Sequence, residues 1–279
     1  MTATLTADRT LLVCLHHAGG TAAAFRHWPG ALPDVDVHAV ELPGHGARAV
    51  EPVGRDLATV LDRLDTELGP LLDSRHHVVF GHSMGGLLGY HLLMRRAARG
   101  ARVAAALLVA GYGAPHLARP SAAGIDPDSV DDETLARHLH RMGGFPAELM
   151  RRPEWLPMLL GTVRADLRVC AGHRWTGGTP ALSVPVHAFA GEHDPLATVP
   201  VMRAWSAHTD AGFALTVLPG GHFLVQDPAA GLLPAVATAL ATALTTAPPT
   251  ASPTGPPTGL PTASAATAPT GARPHRRTL

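Results

Sequence analysis

The chain has 279 residues, and 46% of them are hydrophobic, which supports a sizeable core and excludes disorder throughout. Lys plus Arg and Asp plus Glu each total 22, so there is no charge footprint for nucleic acid or an anionic membrane. Two cysteines, Cys14 and Cys170, are too few for a disulfide scaffold and fit a reduced cytoplasm.

The first apolar run, Leu11 to Leu15, follows only Arg9 and is shorter than the core of a signal peptide, so none is expected. A run of about 18 apolar residues, which a spanning helix needs, is not found. Thr10–Leu15 predicts a strand that ends in His16-His17-Ala18-Gly19-Gly20. Asp36–Leu42 predicts a second strand, ending in Pro43-Gly44. Leu57, Val60, Leu61, Leu64 and Leu68 recur at helical spacing and predict an amphipathic helix over 55–69. His76–Phe80 predicts a third strand, and Met84–Arg99 the helix after it. Val103–Val109 is almost continuously apolar, as a central parallel strand is.

The rhythm then breaks. Residues 113–178 carry helix signals without a convincing strand. Ser129 is the expected N-cap, with Asp132 three residues on. Leu135, Leu139 and Met142 form a stripe that Gly143-Gly144 ends, and Pro153 suits a first helical turn before Glu154-Trp155-Leu156. Val184–Ala190 and Phe213–Leu218 predict two more strands, and Leu232–Leu244 a closing helix. From Ala247 onward the chain is rich in Pro, Thr, Ala and Gly, with no aromatic residue and no apolar period. The expectation is an α/β domain over 1–246, its mostly parallel sheet covered on both faces, with 113–178 a helical insertion over one end. The remainder, 247–279, is expected to be a disordered tail with Arg273, Arg276 and Arg277 solvated.

Gly81-His82-Ser83-Met84-Gly85 is G-x-S-x-G between a predicted strand and a predicted helix, the context of a nucleophile elbow. There a serine hydroxyl stands at the carboxyl edge of the sheet, and the Met84 N–H points at an oxyanion formed beside it. A serine needs a base, and the base a carboxylate, in the chain order Ser, Asp or Glu, His. Gly191-Glu192-His193-Asp194-Pro195 and Gly220-Gly221-His222-Phe223 each follow a predicted strand. Asp194 is favoured over Glu192 because Pro195 fixes its exit. His222 is favoured over His193, which sits beside the acid with little room to bridge it to Ser83. Ala18 N–H, within about one residue, is the expected second oxyanion donor.

The chain holds 18 histidines. The pairs His16-His17 and His76-His77 make poor chelates, because neighbours on a strand point to opposite faces. His138 and His140 are expected to be solvated on the insertion helix. No H-E-x-x-H or C-x-x-C occurs, so no metal is expected. No G-x-G-x-x-G or P-loop follows a strand, so no nucleotide cofactor is implied.

Over about residues 10–235 the chain resembles the type II thioesterases that accompany polyketide synthases and nonribosomal peptide synthetases, which have the α/β-hydrolase fold. The resemblance rests on Leu15–Gly20 with Phe25 and Trp28, on Leu42-Pro43-Gly44 with Arg48, and on Gly81–Gly86. It rests further on Met142–Pro146, Leu159-Leu160 and Arg164-Ala165-Asp166 in the insertion, which resemble the family's lid, and on Gly220–Phe223. His45 stands where that family usually has arginine, His16 where it usually has proline, and Cys170–His173 where it is usually richer in tyrosine. The resemblance implies hydrolysis of acyl thioesters from the phosphopantetheine arm of an acyl or peptidyl carrier protein. It implies editing of aberrant or stalled acyl groups, with Ser83, Asp194 and His222 catalytic and Ala18 and Met84 in the oxyanion hole. The expectation is a cytoplasmic monomer without cofactor, nucleic acid or membrane partners. A general carboxylesterase, an acyltransferase or chain-releasing enzyme, and an inactive carrier-binding module are the rival readings.

Overall fold

The computed structural model of the chain describes residues 9–117 and 125–246. The tail expected over 247–279 lies outside the described residues.

Its strands are β1 Thr10–Leu15, β2 Val35–Ala39, β3 His77–His82, β4 Leu107–Ala110, β5 Val186–Gly191 and β6 Phe213–Leu218. Among the described residues they form one sheet in the order β2-β1-β3-β4-β5-β6, every pair parallel. The helices are α1 Trp28–Ala31, α2 Leu57–Ser74, α3 Met84–Ala98, α4 Asp132–Arg141, α5 Ala147–Met150, α6 Leu156–Ala171, α7 Val199–Arg203 and α8 Leu232–Thr246. None among the described residues is long and apolar enough to cross a membrane.

Side chains alternate across a strand, and both faces here are covered. Leu11, Val13 and Leu15 face Leu61, Leu64 and Leu68 of α2 and Leu87 and Leu88 of α3. Leu12, Cys14 and Phe80 face the other way, onto Trp28 and onto Val236 and Leu240 of α8. That two-sided burial is why β1 and β4 read as continuous apolar runs.

Several boundaries differ from the sequence reading. The second strand ends at Ala39 rather than Leu42. Val40 N–H still bonds the Cys14 carbonyl at 2.9 Å, but β1 stops at Leu15 and leaves nothing further to pair with. The helix expected to end at 69 runs to Ser74, because Leu72 extends the buried stripe past Pro70. β4 begins at Leu107 rather than Val103.

Between β4 and β5, helices α4, α5 and α6 enclose a small core of their own, built on Leu135, Leu139, Phe145, Leu160 and Leu167. Ala18, from the loop after β1, packs against it. The N-cap of α4 is Asp131 rather than Ser129. Asp131 accepts the Thr134 N–H at 2.8 Å, while Ser129 Oγ donates to the Asp126 carbonyl at 3.0 Å. A carboxylate both satisfies an orphan donor and complements the positive helix end. Arg164 of α6 reaches Asp132 at 2.8 Å and the Val130 carbonyl at 2.9 Å, tying α6 to the start of α4.

In this strand order the winding reverses between β1 and β3. Loops leaving their carboxyl ends diverge there and open a crevice. His16–Gly20 follow β1, Ser83 follows β3, Asp194 follows β5 and His222 follows β6. All four segments leave the same edge of the sheet.

Candidate active site

Ser83 has φ +52° and ψ −117°, and is the non-glycine residue with positive φ among those described. Such a conformation costs about 1–3 kcal/mol and persists where neighbours over-determine it. Here the Ser83 N–H donates to the Ala110 carbonyl at 2.8 Å, and its own carbonyl accepts the Gly86 N–H at 2.8 Å. The flanking glycines make the turn possible. A Cβ on Gly81 would collide with the Gly85 carbonyl, and one on Gly85 with the Leu15 carbonyl at the end of β1.

Ser83, Asp194 and His222 are all buried and lie in one hydrogen-bonded line. Asp194 Oδ2 is 2.9 Å from His222 Nδ1, and His222 Nε2 is 3.0 Å from Ser83 Oγ. A carboxylate only accepts, so Nδ1 carries the proton. Nε2 of the neutral ring is then free to accept from the hydroxyl. Asp194 Oδ1 also accepts the N–H groups of Leu196 at 2.8 Å and Ala197 at 3.0 Å. Burial pushes the Asp194 carboxyl up, but the bond from His222 and these two N–H groups outweigh it and hold it below the usual carboxylate range. The two alternatives left open by the sequence, Glu192 and His193, are both exposed.

Ala18 lines the pocket of Ser83 and His222, with Leu139 and Met142 from the end of α4 and Val163 and Leu167 of α6. Met84 is the first residue of α3, so its N–H is one of the orphan donors at a positive helix end. Met84 also lines a cavity of about 390 Å³. Leu42, Val53, Val60, Leu64 and Val169 share that lining, and His45 and Asp166 form part of its wall.

Two groups of residues beside this line were not assigned from the sequence. The first is a chain of histidines. His82 Nε2–H donates to the His222 carbonyl at 2.7 Å, so Nδ1 of a neutral His82 accepts from His17 Nδ1–H at 3.3 Å. His17 Nε2 then accepts from Gln226 at 3.2 Å. Only neutral rings satisfy this order. Burial, then the nearby His222, pushes His82 down to about 3; burial, then His82, sets His17 well below its usual value. The second is the pair His45 and Asp166, 2.8 Å apart, from the β2 loop and α6. The available signal was adjacency: His17 precedes Ala18, and His82 precedes Ser83.

The family model for the thioesterase domain matches residues 10–243. Linear gramicidin dehydrogenase LgrE of Brevibacillus parabrevis is 34% identical over 227 residues, covering 80% of this chain and 84% of that protein. The RedJ thioesterase from the prodiginine biosynthetic pathway in Streptomyces coelicolor is similar in structure with a TM-score of 0.76. It is 31% identical, over 85% of this chain and 89% of that one. BorB, a type II thioesterase from the borrelidin biosynthetic cluster, has a TM-score of 0.73 and 33% identity, over 86% of this chain and 94% of its own.

Proposed function

The chain belongs to the thioesterase family, among the type II thioesterases of polyketide and nonribosomal peptide synthesis, and from that premise we propose what it acts on and through which residues. It is a hydrolase of thioesters. Its substrates are acyl groups held on the phosphopantetheine arm of acyl or peptidyl carrier proteins, and it clears aberrant or stalled groups from them. The relatives' pathways support this substrate class, since linear gramicidin, prodiginine and borrelidin name three of them. LgrE is named a dehydrogenase, but in this chain the turn after β1, His16–Gly20, does not carry the G-x-G-x-x-G pattern of a dinucleotide site, and a 3-10 turn over Ala22–Phe25 follows it.

Ser83 is the nucleophile. Its Oγ attacks the thioester carbonyl as His222 Nε2 takes the proton, and the Asp194 carboxylate stabilises the imidazolium. The N–H groups of Met84 and Ala18 hold the oxyanion. Collapse breaks the C–S bond, and His222 returns its proton to the thiolate, leaving acyl-Ser83. Water then attacks with His222 as base, and the free acid leaves. The observation that supports this most is the unbroken line from Asp194 through His222 to Ser83.

The segment 113–178 acts as a lid. The pocket beside Ser83 holds about 20 Å³, too little for an acyl chain, and Leu139, Met142, Val163 and Leu167 close it. Movement of α4 and α6 admits the arm. The 390 Å³ cavity behind Met84 takes the acyl chain. Cys14 and Cys170 are both free and buried, in keeping with a cytoplasmic setting.

A panel of acyl-loaded carrier proteins, scored for released acid against free thioester analogues, tests the reading. Carrier-bound substrates are expected to turn over faster, and Ser83→Ala is expected to abolish release with the fold intact. Mass spectrometry is expected to find trapped acyl groups on Ser83. An adduct on Cys14 or Cys170 instead overturns the assignment. Equal turnover of simple oxoesters favours a general carboxylesterase, and an ester or amide product favours an acyltransferase.

A further inference from the structure

The turn that carries Ala18 is held by residues the reaction above leaves unused. The His17 carbonyl accepts the Gly20 N–H at 2.9 Å, closing a four-residue turn with Ala18 and Gly19 at its centre. His16 Nδ1–H donates to the same carbonyl at 2.9 Å. In a trans peptide the C=O and the N–H point in opposite directions. Pinning the His17 carbonyl therefore turns the Ala18 N–H out of the turn, and Ala18 and Ser83 line one pocket. Gly19 has φ +72°, which suits the second central position of a type II turn. The competing type I turn has the Ala18–Gly19 peptide turned over.

That peptide is fixed from α6. The Gly19 N–H donates to Asp166 Oδ2 at 2.7 Å. Turning the peptide over would take this N–H off the carboxylate; the Ala18 N–H lies on the preceding peptide, so Asp166 acts on it by seating the turn as a unit against α6. The same oxygen accepts from His45 Nε2 at 2.8 Å, and His45 Nδ1 faces the Pro43 carbonyl at 3.0 Å. Facing a carboxylate at one nitrogen and a carbonyl at the other, the His45 ring donates from both and is an imidazolium. The side chains of His45 and Asp166 are only 2% and 5% exposed, so little solvent screens the pair. Burial works against the charge on His45, but Asp166, the Pro43 carbonyl and Glu41 outweigh it and raise its pKa.

We propose that Asp166 is a positioning residue for the oxyanion donor of Ala18, and that His45 is the buried cation that holds its carboxylate in place. Seating α6 over the β1 loop then sets the turn, so the donor is aimed only when the insertion is closed. This rests on reading the Ala18 N–H as an oxyanion donor. It gives a task to two of the segments by which the chain resembles its family, and to the histidine that departs from the usual arginine.

The test compares Asp166→Ala, Asp166→Asn, His45→Ala and His45→Arg for kcat and KM on an acyl thioester. It adds the Ki of a trifluoromethyl ketone analogue, which adds to Ser83 and presents an oxyanion, and the Kd of an unreactive ether analogue. Losing one oxyanion donor costs about 100- to 1000-fold, so a misaimed one is expected to cost about 10- to 100-fold in kcat. Asp166→Ala and His45→Ala are expected to show that loss with KM within about twofold, the ketone Ki rising in step and the ether Kd unmoved. His45→Arg is expected to recover most of the loss. Asp166→Asn keeps an acceptor and the volume, so it is expected to fold and to show a smaller loss of the same pattern; it carries the test if Asp166→Ala does not fold. A ketone Ki that does not move, or an ether Kd that weakens equally, overturns the proposal. Ala18→Pro removes the N–H at a turn position that favours proline. If that variant keeps full kcat, the donor reading itself fails; if it is impaired while both Asp166 variants are normal, only the role of Asp166 fails.

Discussion

His82 Nε2–H donates to the backbone carbonyl of His222 across 140 residues of sequence, at 2.7 Å. The residue before the nucleophile thus holds the loop of the base. Through His17 the same chain reaches the residue before Ala18. Three loops that must agree within fractions of an ångström are joined by neutral imidazoles, each satisfied at both nitrogens along the line.

Removing that link loosens the base. His82→Leu leaves the His222 carbonyl unpaired in a buried setting, a cost of about 1–3 kcal/mol. The expected outcome is a fall in kcat of about tenfold or more with KM within about twofold, because a slightly misplaced base slows proton transfer without weakening binding. His82→Gln, which can present an N–H to the same carbonyl, is expected to fall between. Steady-state kinetics checks this, and a normal kcat for His82→Leu shows that other contacts hold the loop.

Acid is expected to destabilise the fold well before carboxylates titrate. Burial pushes His77 down to about 4 and His82 to about 3, and burial followed by a neighbouring histidine pushes His91 and His208 to about 4. At pH 5 these rings are neutral when folded and protonated when unfolded, so the unfolded state binds more protons. Their contribution is fully present above about pH 6.5 and is lost as pH falls from there toward 4 and 3, at about 1.4 kcal/mol per pH unit for each ring. His91 Nε2–H donates to His173 Nδ1 at 3.0 Å, and His173 Nε2–H to the Pro115 carbonyl at 3.0 Å, so His91 sits against both roots of the insertion. Melting temperature is expected to fall steadily between pH 7 and 5. His91→Gln keeps a donor and removes one titrating ring, and is expected to flatten the slope; an unchanged slope contradicts the assignment.

Chain-length preference is expected to respond to the cavity behind Met84. Val53 lies on the loop that lines it, so Val53→Trp fills space without cutting the core. A pocket distinguishes each methylene by roughly tenfold or more. For acyl chains of about eight carbons or longer, kcat/KM is expected to drop at least about tenfold, with acetyl and propionyl thioesters within about twofold. A uniform loss across all lengths places the acyl chain elsewhere.

Deleting 249–279 is expected to leave melting temperature and turnover within error, since a Pro- and Thr-rich segment without aromatic residues has little apolar surface to bury. A large loss in either measurement shows that the tail docks on the domain.

The sequence by itself determined the class of fold and the chain order of the site. Strand ends, the glycines around Ser83 and the loops carrying Asp194 and His222 are local signals, because a parallel sheet sends every strand's carboxyl end to one edge. The sequence favoured Asp194 and His222, and the tertiary structure brought the two side chains together. Glu192 and Asp194 share one loop, and only the path of the backbone turns Asp194 inward, onto His222 and the N–H groups of Leu196 and Ala197. It alone revealed Asp166 gripping Gly19 from 147 residues away and the neutral histidines linking the loops. It also moved the cap of α4 from Ser129 to Asp131. The reason is physical. Periodicity and turn chemistry act between neighbours in the chain, whereas a hydrogen bond between distant side chains depends on how whole elements are packed, and no local pattern encodes that.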